Sequence, residues 1–276
     1  MINATGNRMT QEIARQSRMA GRIADKQAQI STGRRLQRAS DDPVALVRLA
    51  GLKRAQANAD ARAANIGLAT SLTAQADTQL RSVSSLLTRA KELTIAAANG
   101  SASAADRGSI ALELDVIADE IDIASLARSV NGLALFAPGS SLVMRFDDDT
   151  EFAPVAARSE VFDIAGVSIS QIVRDGAAAI SAGNMTAISA ANDAIGGALD
   201  HIADQTARVG LNAARLDRIG EKAALRSIGL AEERSTLEDT DLSAAIAEMN
   251  GMTLTLEAAQ AAFARINRRT LMDFLG

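Results

Sequence analysis

The 276-residue chain has no cysteine, no tryptophan and no tyrosine, and only three prolines. The missing cysteine excludes disulfides, thiolate metal sites and cysteine nucleophiles together. That fits a reducing compartment or an exported protein that needs no staples. Six phenylalanines supply all the aromatic content, yet apolar residues make up 47% of the chain. An apolar fraction built from Ala, Leu, Ile and Val suits thin seams between helices; thick globular cores usually use large rings. With so few prolines, long stretches run without a helix breaker. One histidine, His201, leaves no metal-ligand cluster and no His-centred catalytic pair. There is no glycine-rich phosphate loop. The net charge is −4 with both signs interspersed, so nucleic acid has no basic footprint to bind. No apolar run reaches the ~18 residues of a membrane span. Residues 1–6 are polar and lack a secretory h-region, so any exit from the cell is expected to use a route without signal cleavage. No enzymatic activity, cofactor or metal is expected.

What is present is heptad periodicity. Residues 5–33 read as a helix with Met9, Ile13, Gln16, Ala20, Ile23, Gln27 and Ile30 on one face, ended by Gly33. Ser40-Asp41-Asp42-Pro43 is a helix start, with Asp42 as N-cap and Pro43 in the first turn. From Leu52 an apolar line runs in steps of three and four through Ile66, Ala69, Ala76, Leu80, Val83, Leu87 and Ala90 to Ala97, interrupted by Arg62, Thr73 and Thr94. A seam held in phase over about seven heptads is a coiled-coil signature. Asn99-Gly100 stops that helix. A third helix, capped by Asp106 or Ser109, is expected to run to about Ser129, with Asn131-Gly132 ending it. Residues 133–175 change character: two of the prolines and four of the phenylalanines fall there. Leu142–Phe146, Glu151–Val155, Glu160–Ile164 and Val167–Val173 read as short strands. A second long seam starts at Ile188 and reaches Leu237. Asp239-Thr240-Asp241 breaks it and caps a last helix over 242–274.

The lengths suggest the architecture. Outward, a short helix precedes a long one; inward, a long helix precedes a short one. Amphipathic stripes must be covered, so long pairs with long and short with short. The expected fold is mainly α, an elongated out-and-back coiled-coil bundle with a small β-rich insertion at the distal end. Its expected parts are terminal helices at 1–42 and 237–276, a rod at 43–132 and 176–236, and an insertion at 133–175. The terminal pair has the poorer seam and is expected to order on assembly.

Three stretches carry a family resemblance. Gln29-Ile30-Ser31-Thr32-Gly33-Arg34-Arg35-Leu36, followed by Ser40-Asp41-Asp42-Pro43-Val44-Ala45, resembles the N-terminal motif of the bacterial flagellin and hook-associated protein superfamily. Ala207-Arg208-Val209-Gly210 with Asn212 and Arg215-Leu216, and Thr236-Leu237-Glu238-Asp239-Thr240-Asp241-Leu242 with Ala245-Ile246, are similar to its C-terminal motifs. Ala244 departs from the family's usual acid. Pro43 and the tail Leu271-Met272-Asp273-Phe274-Leu275-Gly276 are most like the family's hook–filament junction members. A minor flagellin is the alternative, and a non-flagellar coiled-coil interaction protein a more distant one.

The resemblance implies a secreted structural subunit, exported through the flagellar type III channel and placed at the hook–filament junction. It implies a homo-oligomeric ring touching a neighbouring hook-associated protein and flagellin, and a cytoplasmic export chaperone on the C-terminal helix. Membrane insertion is not implied. The residues expected to carry these roles are Ile246, Met249, Met252, Leu256, Phe263 and Ile266 as an assembly and chaperone face. Met9, Ile13, Ile23 and Ile30 form the N-terminal assembly helix, Ser40, Asp41, Asp42 and Pro43 an interhelix contact loop that also caps, and Arg208 and Arg215 pair along the rod. Asp147-Asp148-Asp149 with Glu151 lacks calcium-loop spacing and reads as an exposed hairpin turn. His201 reads as a solvated surface residue.

Overall fold

The computed structural model describes the backbone of residues 2–38, 40–99 and 102–275, and the side chains of residues 9–38, 40–99 and 102–265. Among these residues the fold is mainly α. Its helices are α1 (Ile2–Thr32), α2 (Pro43–Ala98), α3 (Ala104–Ser125), α4 (Arg158–Phe162), α5 (Ile169–Ala182), α6 (Met185–Glu238) and α7 (Leu242–Leu275). The strands are β1 (Met144–Arg145), β2 (Glu151–Phe152), β3 (Asp163–Ile164) and β4 (Val167–Ser168), in two antiparallel pairs. The chain divides into two compact units, residues 1–57 with 227–276, and residues 58–226.

In the 58–226 unit the heptad line of α2 is the centre of the core. Ala69, Ala76, Leu80, Val83, Leu87 and Ala90 are fully buried, and Thr73 and Thr94 are buried with them. Each threonine donates its hydroxyl to the carbonyl four residues back, at 3.1 and 2.8 Å, so neither buries an unpaired polar group. Ile188, Ile195, Ile202, Val209 and Leu216 of α6 close over this line. Ile66 faces Gly220 and Lys91 faces Gly196, so α2 and α6 run antiparallel within the unit. Small aliphatics suffice because two helices in knobs-into-holes contact leave only a thin space to fill.

The third helix begins at Ser103, not at Asp106 or Ser109. Ser103 Oγ accepts the Asp106 amide at 3.2 Å, and Asp106 accepts the Ser103 amide at 3.0 Å, a reciprocal capping box. Asp106 is thus the partner of the cap. This helix ends at Ser125, short of the expected Ser129. Asn131-Gly132 forms a separate turn, with Gly132 at φ +78°, that pairs Arg128 with Ala134.

The 133–175 segment carries less strand than its alternation suggests. Pairing is limited to Met144 with Phe152, Arg145 with Glu151, Asp163 with Ser168 and Ile164 with Val167. An isolated two-stranded ribbon gains little from its ladder. Its side chains gain more by packing on the helices: Phe136, Phe146, Val155, Val161 and Phe162 all join the helical core. Phe136 meets Phe162 edge to face at 5.0 Å. Glu160–Ile164, expected as a strand, is helical to Phe162. Val167–Val173 is strand only to Ser168, which caps α5 by accepting the Gln171 amide at 3.1 Å. Ile169, Val173, Ala177 and Ile180 then bury one face of that helix against α3.

A core so thin has no slack. Leu87→Ala removes a side chain that is 0% exposed, and is expected to cost about 2–5 kcal/mol. Ile95→Ala, on the same helix but 52% exposed, should cost under about 1 kcal/mol. Urea unfolding followed by helical circular dichroism tests both; equal losses would contradict the seam assignment.

Candidate assembly surfaces

In the unit of residues 1–57 and 227–276, α1 packs against α7. The covered side of α1 is Glu12, Gln16, Met19, Ile23, Lys26 and Ile30. Gln16, Ile23 and Ile30 lie where the heptad reading puts them, but the alternate positions are rotated by one residue. Met19 and Lys26 are covered in place of Ala20 and Gln27, and Met9 and Ile13 remain 42% and 53% exposed. Lys26 explains the phase: its aliphatic stem lies along the seam and its ammonium reaches Glu248 of α7 at 2.6 Å. The amide nitrogen of Gln16 is buried without a hydrogen-bond partner, which weakens this pairing.

On α7, Met249, Met252, Leu256, Ala259 and Phe263 are half-buried, while Ile246 is 42% and Leu254 68% exposed. Ala245 is the buried residue of the first turn. The side chains of Ile266 and of the tail from Leu271 lie outside the described residues.

The two interhelix loops of this unit are bonded to each other. Gly33, at φ +68°, turns the chain out of α1. The Arg35 amide donates to the Glu238 carbonyl at 2.8 Å and the Thr240 amide to the Gly33 carbonyl at 2.9 Å, a short bridge between Arg34 and Asp239. Glu238 is buried, bonded to Arg34 at 3.1 Å and near Arg234 at 3.7 Å. Arg48 of α2 donates from Nε to Glu233 of α6 at 2.7 Å. A buried carboxylate at the end of α6, held by Arg34 of the first loop and Arg234 of its own helix, fixes the register of that loop better than an exposed pair would.

Ser40, Asp41, Asp42 and Pro43 divide the work. Asp42 Oδ1 accepts the Ala45 amide at 2.9 Å and caps α2, with Pro43 as its first residue. Asp41 Oδ2 accepts the amides of Gln37 and Arg38 at 3.0 and 2.8 Å and closes the loop on itself. The Arg38 amide, then that of Gln37, holds its carboxyl below the usual carboxylate range. Ser40 is exposed. On the other side Asp241 caps α7 by accepting the Ala244 amide at 3.0 Å.

In the 58–226 unit, Arg208 is exposed and has no ion pair among the described residues. Arg215 stacks its guanidinium on the Phe152 ring, 4.2 Å from the centroid. Neither arginine meets a carboxylate among the described residues. Phe152 replaces one because the β2 strand folds onto α6. The acidic run is the tip of the β1–β2 hairpin. Arg62 donates to Asp147 at 2.8 Å and also to Asp148, and Arg226 lies 3.6 Å from Asp147. The polar break in the α2 seam at Arg62 is therefore the anchor of this hairpin, a role its spacing alone did not reveal.

His201 is a correction. Its Nε2 sits 3.2 and 3.1 Å from the carbonyls of Glu160 and Val161, and Gln205 donates to the same Glu160 carbonyl at 3.2 Å. It tethers α4 to α6. Among the described residues no group of His, Asp and Glu side chains could hold a metal ion, and no helix is long and apolar enough to cross a membrane.

The sequence has known relatives. Residues 3–140 match the model of the bacterial flagellin N-terminal helical region, and residues 192–275 that of the C-terminal helical region. The chain is 23% identical over 272 residues to the flagellin of Listeria monocytogenes, covering 95% of this chain and 94% of that protein. It is 32% identical over 122 residues to flagellar hook-associated protein 3 of Salmonella typhimurium, covering 44% of this chain and 38% of that one. A putative flagellar hook-associated protein from Vibrio parahaemolyticus shares the fold, with a TM-score of 0.65 at 20% identity over 72% of this chain and all of that one.

The Asp41 contact makes a pH-dependent prediction. A carboxyl whose pKa is lowered in the folded loop contributes above its unfolded value and loses that contribution as pH falls through the folded pKa. The protection of the Gln37 and Arg38 amides against hydrogen exchange, relative to other loop amides, should therefore be constant above about pH 4 and be lost as pH falls further, through the lowered pKa of the folded loop. Asp41→Ala should abolish this protection at every pH, leaving the α2 amides protected through Asp42.

Proposed function

This chain belongs to the bacterial flagellin family and is a structural protein of the extracellular flagellum; from that premise we propose that it forms the junction between hook and filament. The observation that carries the junction reading is the pair of end elements, Asp42-Pro43 at the start of α2 and the apolar Leu271–Leu275 tail. Flagellins of the family more often follow the paired acids with Ala and end without this tail. The short middle region, residues 133–175, which packs into the helical core, does not favour the junction reading and leaves room for a minor flagellin. A filament subunit is the second reading, favoured by similarity to a flagellin over nearly the whole of both chains.

The mechanism follows from what the helices leave uncovered. Met9 and Ile13 on α1, with Ile246 and Leu254 on α7, remain exposed on the terminal pair. Such apolar surface is covered when neighbouring copies in a ring bring their own terminal helices. Before that, the half-buried α7 line of Met249, Met252, Leu256 and Phe263 is the face a cytoplasmic export chaperone would hold. That face is also the one that meets α1, so chaperone and α1 exclude each other. A chain kept unpaired in this way remains threadable through a type III channel. Flexible methionines suit a face that packs twice against different partners.

Position along the flagellum is the direct test. An epitope-labelled chain should give one band at the hook end, and deletion of the gene should leave hooks intact while filament protein spills into the medium. Labelling along the whole filament would sink the junction reading in favour of the filament one. At residue level, Phe263→Asp should reduce secretion or incorporation about tenfold or more, since a charge placed on an apolar contact face costs several kcal/mol. The helical signal of residues 58–226 should not change; wild-type incorporation would remove Phe263 from the shared face.

A further inference from the structure

The 58–226 unit leaves two helical faces uncovered, and their chemistry is complementary. On α3 the inner residues Leu114, Ile117 and Ile121 are buried. The outer residues Leu112, Val116 and Ile123 are 69%, 56% and 71% exposed, and Leu126, just past the helix, is 64% exposed. These four step by four, seven and three, with Asp119 between Val116 and Ile123 held by Arg174 of α5 at 2.8 Å, so the exposed side of α3 carries a broken apolar line. Its flanks are acidic. Asp115 and Glu120 are exposed and without an ion pair among the described residues, and no lysine or arginine lies between Arg107 and Arg128.

On α6 the inner residues Val209 and Leu216 are buried. The outer line Arg208, Leu211, Arg215, Arg218, Lys222 and Leu225 steps by three and four and is exposed throughout, the two leucines by 71% and 70%. Arg208, Arg218 and Lys222 have no ion pair among the described residues. Leu112 and Leu126 are two heptads apart, as are Leu211 and Leu225, so both faces offer apolar anchors about 21 Å apart. The unpaired charges beside the α3 anchors, Asp115 and Glu120, are acidic; on α6 four bases outnumber the two exposed acids of the same stretch, Asp217 and Glu221.

We propose that the α3 face of one copy docks on the α6 face of the next copy of this chain, residues 112–126 against residues 208–225. This rests on the reading of the chain as a flagellar subunit. The charges select the arrangement: α3 against α3 would bring acid to acid, and α6 against α6 base to base, so neither face pairs with itself. A contact between two different faces is heterologous, and it propagates from copy to copy until a ring closes or a helix continues.

Because the chain has no cysteine, engineered thiols are its only thiols. Full-length chains carrying Leu112→Cys with Leu211→Cys, or Leu112→Cys with Leu225→Cys, are assembled in cells and their isolated flagella mildly oxidised. One of the two double variants should give a ladder of cross-linked copies beyond the dimer, and its identity gives the relative direction of the helices. Each single variant should stay monomeric. Adding Arg218→Glu and Lys222→Glu should reduce the ladder about tenfold. Asp115→Lys with Glu120→Lys in the same chain should restore it, which separates lost contact from misfolding. A dimer from Leu112→Cys alone, a cross-link to another protein, no ladder in either double variant, or a ladder indifferent to charge reversal would each overturn the proposal. The label position decides the junction reading separately, since the cross-link is read wherever the chain assembles.

Discussion

The seam of small aliphatic residues along α2 is the constraint on which the rest of the structure depends. A helix with a stripe of Ala, Leu and Val cannot leave it in water. Covering it takes α6 on one side and, within the 58–226 unit, α3, α5 and the 133–175 segment on the others. Each of those elements buries its own apolar face in doing so. The same thinness explains why the chain manages without tryptophan or tyrosine. Four of the six phenylalanines lie in the 133–175 segment, where it crosses the helices and a wider gap must be filled.

Polar residues on the seam are tolerated where each has a partner. Thr73 and Thr94 bond back to their own helix, and Arg62 leaves the seam to hold the β1–β2 hairpin by Asp147 and Asp148. In the other unit the same logic operates between loops. Glu238 is buried because Arg34 and Arg234 reach it, and the backbone bridge beside it joins the ends of α1 and α6. Two of the three family motifs fall on these loops. Their residues cap α2 and α7, close a loop and bond the two loops together, so a structural need accounts for Asp41, Asp42, Asp241 and Glu238 before any neighbour is considered.

What the fold leaves over is as informative as what it buries. The terminal pair keeps exposed apolar side chains and a seam containing a buried, unpartnered amide at Gln16. That makes the contact a weak one. The outward sides of α3 and α6 keep exposed leucines, with an acidic balance of unpaired charge beside the first and a basic balance beside the second. Uncovered stripes of this kind have a cost in solution, and a subunit of a larger structure is where that cost is recovered.

Much of this was legible in the sequence. The α2 and α6 lines, the stop at Gly33, the Asp42-Pro43 start and the break at 239–241 all follow from local rules, periodicity and capping, that depend on neighbouring residues alone. The phase of α1 did not follow, because Lys26 hides its stem on the seam while sending its charge to Glu248, and hydropathy counts it as polar. The strands of the 133–175 segment were overread, because alternation cannot tell a paired strand from a chain laid across helices, and α5 was hidden behind a Val-Ser-Ile-Ser start. The roles of Arg62, Arg215 and His201 depend on residues some 40 to 85 positions away. Periodicity determined which faces are apolar; only the tertiary structure decided which of them find cover within the chain, because contact between distant segments is set by packing and not by spacing.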